Sequence, residues 1–214
     1  PSNWKAYIEN LNDGFHAGLL HQLPVIFGLH RNTQDTHMDL DEWKRHDYFY
    51  VHFGSDTEEM VQEGYSGTAR GDQYDSPMVL ADPQFLNYRD EWKDMVSVAG
   101  ASMFPCFLVA QLSNFLMTRQ VRPKAANEFE LYWTAFGYVD DDPELRNIRQ
   151  QQVTWMGSGG CISIEDSESG VLIHRAIRRA DRDYSVIEMG GVGPIESQDN
   201  QMTEVCLRGF WRYY

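Results

Sequence analysis

Hydrophobic and polar positions along the chain fall into blocks of different period, and each block predicts an element. Residues 3–21 read as one amphipathic helix, with Phe15, Leu19 and Leu20 on its core face and Pro24 marking its end. Residues 25–41 are polar around Arg31-Asn32-Thr33-Gln34-Asp35-Thr36 and predict a long surface loop or lid, on which His30 and His37 are read as solvated, the alternative for His30 being a competing metal ligand. Asp47 to Phe53 has strong β propensity and stops at Gly54, with His52 a strand side chain. Residues 55–82 carry no clear period and predict a variable surface excursion.

The second half is more regular. Asp82-Pro83 supplies cap and first-turn residues for a helix over 84–98. Strands are predicted at 103–111, 114–122 and 128–138, the last two separated by a turn at 123–127. Short connections between such neighbours favour antiparallel pairing. Asp140-Asp141-Asp142-Pro143-Glu144 opens another helix as a cap. Gly157-Ser158-Gly159-Gly160 breaks that helix, and 162–178 resume it. A short strand at 186–189, a Gly/Pro-rich loop to 200 and a final helix over 201–214 complete the pattern. The chain reads as cut at both ends, and a sheet with helices before, between and after it is α+β.

Composition narrows the function classes. A chain of 214 residues fits one domain able to bury a core without staples. Its formal net charge of −14 makes it a poor partner for nucleic acid, whose binding is dominated by cationic contacts to phosphate. No apolar run reaches membrane-spanning length and no leader marks export. Cys106, Cys161 and Cys206 are widely spaced, which fits a reducing, cytoplasmic setting. They also lack the paired short motifs that a cysteine- and histidine-bound iron–sulfur cluster requires, so this stretch does not carry one.

Candidate chemistry begins with His16 and His21, five residues apart. At 3.6 residues per turn they would point about 140° apart on an ideal helix, so a shared ion needs a local irregularity or a helix end at one of them. Gly14 and Gly18 lie inside the stretch and weaken a regular helix. The words around them, Asn3-Trp4-Lys5 and then Glu9-Asn10 with Asp13-Gly14-Phe15-His16 and His21, resemble the catalytic half of the Rieske non-heme iron ring-hydroxylating oxygenases, large-subunit type. Gly157-Ser158-Gly159-Gly160-Cys161-Ile162-Ser163-Ile164-Glu165-Asp166 resembles that family's second signature, with Ser158 where proline is common.

The resemblance implies Fe(II) held by His16, His21 and Asp166, a two-histidine, one-carboxylate set that leaves positions open for O2 and substrate. Glu165, the neighbouring acid, is read as a solvated helix residue. Asp13 matches the aspartate that links the iron to a 2Fe-2S Rieske cluster of a neighbouring subunit, and it would orient the His16 ring. Met117-Thr118-Arg119-Gln120-Val121-Arg122-Pro123, flanked by Phe104-Pro105 and Phe129-Glu130-Leu131-Tyr132-Trp133-Thr134, resembles the branch acting on aromatic carboxylates such as salicylate and terephthalate. There Arg119 would grip the ring carboxylate, the alternative being a surface ion pair. Strand alternation puts Arg119 and Val121 on one face and Arg122 on the other. Terephthalate-type relatives place a second arginine where Gln201 stands, which favours a monocarboxylate bearing hydroxyl or amino groups.

The expectation is therefore a mononuclear iron catalytic domain over 1–214. Its implied fold is a curved antiparallel sheet with flanking helices enclosing a ligand cavity, a helix-grip, START-like arrangement. It would hydroxylate or cis-dihydroxylate an aromatic acid, in a trimer, with or without a small β subunit, fed by a ferredoxin or reductase. Without a cluster domain this stretch would bind iron and substrate but not turn over. Two rivals use the same residues: a metal-free binding module for a hydrophobic ligand, and a Zn(II) hydrolase.

Overall fold

The computed structural model describes residues 2–67, 80–181, 184 and 191–214. The expected strand at 186–189 lies outside the described residues. Six strands form one antiparallel sheet in sequential order: β1 (Thr36–Leu40), β2 (Asp47–His52), β3 (Val96–Met103), β4 (Phe107–Leu112), β5 (Phe115–Ala125) and β6 (Glu128–Phe136). Two of these strands correct the sequence reading. β1 falls in the expected lid, where it pairs with β2 and bridges Met38 to Gln198. β3 occupies the end of the expected helix over 84–98. The Asp82 cap does act there, accepting from the Gln84 amide, but it starts only a single 3-10 turn at Pro83–Leu86. Val96 and Val98 pair instead with β2 and β4.

The first predicted helix is three. Asn3 caps α1 (Trp4–Asn12), Asp13 caps α2 (Gly14–Leu20), and His21 separates α2 from α3 (Gln22–Ile26). Pro24 does not end the helix; it sits in the first turn of α3, where a missing amide is harmless. Leu19 is 45% exposed, so the expected core face is not continuous. Within the expected excursion, α4 (Glu58–Tyr65) buries Val61 and Tyr65 against Val25.

Asp142 caps α5 (Pro143–Met156), accepting from the Leu145 amide with Pro143 in the first turn. α6 (Cys161–Ile177) follows through a turn at Gly160, where a Cβ would lie 2.1 Å from the Trp155 carbonyl oxygen. Glycine is therefore required for α6 to leave α5 so abruptly. α7 (Val205–Tyr213) starts four residues later than expected, leaving Gln201 and Thr203 buried in the loop before it.

The core lies between sheet and helices. Leu108, Ala110, Phe115 and Met117 of β4 and β5 pack with Leu29 and with Trp155, Met156 and Ile162 from α5 and α6. A second cluster joins Tyr7 and Ile8 of α1, Val121 of β5 and Phe210 of α7. Together these clusters fix α1, α5 and α6 over β4 and β5, and a cavity remains beside them, closed by α2.

Candidate metal centre

His16, His21 and Asp166 come together although 150 residues separate the first from the last, their donor atoms all within 4.8 Å of one another. His16 Nε2 lies 3.5 Å and His21 Nε2 3.2 Å from Asp166 Oδ1, and the two rings meet edge to face at 5.4 Å. The irregularity that the spacing requires is the helix end at His21, together with the restart of the helix at Asp13. His21 and Asp166 are buried and His16 is half-buried.

The opposite ring nitrogens are also occupied. His16 Nδ1 lies 2.5 Å from the Asp13 backbone carbonyl oxygen, and His21 Nδ1 lies 2.7 Å from Glu165 Oε2. With each Nδ1 held in this way, an ion that displaces the Nε2 protons would meet both Nε2 lone pairs at one point beside Asp166. Asn10 Nδ2 donates to Asp166 Oδ1 at 3.2 Å. Glu165 is thus no idle solvated acid: one turn of sequence supplies both Asp166 beside Nε2 and Glu165 on Nδ1 of the same histidine.

Charge follows from this packing. Burial alone would push the Asp166 carboxyl up, but hydrogen bonds and charge from His16 and His21 hold it well below the usual carboxylate range. Burial disfavours a charged His16, yet the carboxylates of Asp13 and Asp166 raise it to about 9. Two imidazoles and one ionised carboxylate, preoriented at one point and partly dry, fit a divalent cation of the iron or zinc kind. The carboxylate of Asp13 accepts from the Phe15 and His16 amides, so its side chain holds α2 while its carbonyl holds the His16 ring.

The adjoining cavity is about 120 Å³, comparable with the ~150 Å³ apolar cavity that accepts one benzene. Leu108, Ala110, Met117, Trp155 and Ile162 give it apolar walls, and His16, His21, Asp166, His30 and Arg119 give it polar points. Arg119 is buried, in contrast to the surface alternative. Its Nη1 donates to the Tyr7 hydroxyl at 3.4 Å, its guanidinium carbon stands 4.0 Å from the Trp133 ring centroid, and Nε has no partner. No carboxylate among the described residues lies within 4 Å of it. Arg122, on the other face, lies over the Tyr132 ring. Gln201 is buried outside the lining, where its amide donates to the Arg31 carbonyl and its Cβ backs Gly14.

His30 is the residue that sequence reasoning misplaced. It is buried at 8% exposure and lines the cavity, because the Pro24 carbonyl accepts from the Leu29 and His30 amides and folds the segment inward. It is not part of the three-residue ligand group. The polar stretch after it masked its burial, although the apolar run Val25-Ile26-Phe27-Gly28-Leu29 leads into it.

The model of the family described as "Ring hydroxylating alpha subunit (catalytic domain)" matches residues 1–214. The chain is 36% identical over 222 residues to a terephthalate 1,2-dioxygenase terminal oxygenase subunit alpha 2 of Comamonas sp., covering all of this chain and 51% of that protein. It is 33% identical to an anthranilate 1,2-dioxygenase large subunit of Burkholderia cepacia and 30% identical to a salicylate 5-hydroxylase large oxygenase component of Ralstonia sp., in each case over all of this chain and 49% of the relative. The chain thus spans about half the length of the curated relatives it matches. Among solved structures, naphthalene 1,2-dioxygenase from Rhodococcus sp. shares the fold at a TM-score of 0.65 and 15% identity, over 99% of this chain and 52% of that one.

Proposed function

This chain belongs to the ring-hydroxylating alpha-subunit catalytic-domain family, and from that premise we propose that residues 1–214 form the mononuclear non-heme iron domain of an oxygenase that hydroxylates or cis-dihydroxylates an aromatic carboxylic acid. The observation that carries the proposal is the pair of Nε2 atoms facing Asp166 Oδ1 while both Nδ1 atoms are held by hydrogen bonds. Fe(II) bound by His16, His21 and Asp166 would supply open coordination positions and the electron chemistry that activates O2.

The chain's own residues supply the rest. Asp166 is kept ionised by its neighbours, and Asn10 fixes its orientation. Glu165 and the Asp13 carbonyl set the tautomer of the two histidines. Arg119 offers a guanidinium fork with an unused Nε to a ring carboxylate, and Trp133 holds that fork flat from behind. The apolar walls seat one ring and exclude water. Relatives named for terephthalate, anthranilate and salicylate support the substrate class. Gln201 beside His30 brings an amide rather than a second cation, which favours a monocarboxylate bearing a hydroxyl or amino group.

Electrons would come from a 2Fe-2S Rieske cluster in the remainder of the subunit or in a neighbouring one, through Asp13. Like subunits in a trimer, a small β subunit in some assemblies, and a ferredoxin or reductase are the partners this reading implies. The sheet with helices closing over its cavity is read as a helix-grip, START-like arrangement. No helix among the described residues is long and apolar enough to cross a membrane, and the scattered thiols suit a cytoplasmic setting.

The test is metal analysis after anaerobic Fe(II) loading of the parent and of Asp166→Ala. About one iron per chain in the parent, lost in the variant, is the expected result. Equal iron in both would move the third ligand elsewhere, and none in the parent would sink the reading.

A further inference from the structure

His30 lines the cavity, yet neither its metal chemistry nor its packing explains it. More than nine-tenths of it is buried, neither ring nitrogen has a partner at hydrogen-bond geometry, and Gln201 is the polar side chain beside it. It lies outside the group that can hold the ion. Buried polar atoms in folded proteins are overwhelmingly paired, so an open imidazole at a cavity wall marks a group kept for a ligand. The segment that carries it is built for the purpose. The Pro24 carbonyl pulls the His30 amide inward, Gln201 holds the Arg31 carbonyl, and Asn32 donates to the Phe15 carbonyl. Gly18 makes room for that segment, since a Cβ there would lie 2.1 Å from Asn32 Oδ1.

Resting on the function proposed above, we infer that His30 is the specificity residue that recognises a hydroxyl or amino substituent on the aromatic acid. Arg119 holds the carboxylate from β5, and His30 meets the second polar group from the segment after α3. A neutral imidazole offers one N–H donor and one acceptor nitrogen, which suits a hydroxyl or an amine and not a second carboxylate. Burial, reinforced by the charges of His16 and His21, lowers His30 to about 4, so the ring is neutral near pH 7. Gln201 stands behind the wall, where its amide donates to the Arg31 carbonyl and holds the segment that carries His30.

The test uses the full-length, iron-loaded oxygenase under anaerobic conditions, with binding of benzoate, 2-hydroxybenzoate and 2-aminobenzoate followed by calorimetry. The parent should prefer at least one substituted acid over benzoate by about tenfold or more. His30→Phe should bring that ratio to within about twofold while benzoate affinity and iron content stay close to the parent's, and His30→Gln should restore part of it. His30→Leu serves if the phenylalanine variant loses iron. A preference unmoved in the apolar variants overturns the inference, as does a parent with no preference. Loss of iron from both apolar variants also overturns it, because His30 would then be supporting the metal ligands. An iron-loaded parent that binds none of the three acids fails the aromatic-carboxylate reading itself, a separate result.

Discussion

Nδ1 of His21 lies 2.7 Å from Oε2 of Glu165, the residue next to the acid that faces His21 from the other side. One helical segment, α6, therefore supplies both the candidate ligand and the group that fixes the tautomer of its partner. Carboxylates in this outer position commonly tune metal affinity by tenfold to a hundredfold.

That relationship separates two neighbouring acids. Glu165→Gln should retain stoichiometric metal but weaken it by about tenfold or more, whereas Asp166→Ala should abolish tight binding. Anaerobic titration with Fe(II) or Co(II) reads both. Equal losses in the two variants would contradict the division of roles.

Metal binding should depend on pH through His16. With no ion bound, its pKa is raised to about 9, so the protein holds that proton at neutral pH and the metal must displace it. Apparent affinity should therefore rise with pH, by about tenfold per unit below 9 from this group, with about one proton released. The same proton stabilises the metal-free fold. That contribution is complete below the unfolded value near 6.5 and is lost as pH rises through about 9. Pairing affinity measurements at pH 6, 7 and 8 with thermal melts of the metal-free protein checks both signs.

Asp47 gives the opposite experiment, on stability alone. Burial raises its carboxyl to about 7, with Asp41 adding to the effect and Ser102 opposing it. The native state holds a proton that the unfolded chain gives up near 3.9, so stability falls as pH rises from about 4 to about 7. Asp47→Asn removes that loss. Its Tm should exceed the parent's by more at pH 8 than at pH 5, at about 2–4 °C for each kcal/mol recovered. An equal shift at both values would mean that Asp47 is ionised in the fold.

Arg119 should be needed for charge rather than for ring packing. Arg119→Gln is expected to weaken benzoate by more than about tenfold while leaving benzamide nearly unchanged. Arg119→Lys should recover only part, because a point charge replaces the fork. Matching losses for benzoate and benzamide would mean that the cavity itself had collapsed.

Asp13→Asn keeps an oxygen to cap α2 and leaves the backbone carbonyl on His16, so iron content and Tm should hold. Oxygenation by the full-length assembly should fall sharply if the carboxylate lies on the electron path. Full activity in that variant would remove Asp13 from it.

The short words around His16, His21 and Asp166, the cap at Asp142, and the strands through Arg119 and Trp133 were legible in the sequence because they are local patterns; the cap at Asp13, which breaks the first helix, was not. Alternation put Arg119 and Arg122 on opposite faces, and packing made Arg119 the buried one. Other features depended on contacts distant in sequence. β1 is a strand because β2 and Gln198 complete its hydrogen bonds, and β3 because β2 and β4 flank it. β1 alternates only briefly, Met38 and Leu40 against His37 and Asp39, and β3 is diluted by Ala99, Gly100 and Ala101, while the cap at Asp82 pointed to a helix that found no face to bury. His30 leads into a polar stretch and Glu165 sits beside another acid, which in each case suggests solvent. One is drawn inward by the Pro24 carbonyl and the other meets His21 across 144 residues. Local sequence determines which donors exist and which way a strand side chain points, because those follow from backbone period. Only the closed packing of α1, α5 and α6 over β4 and β5, with α2 across the cavity, decides which donors converge, because burial and convergence are properties of the whole enclosure.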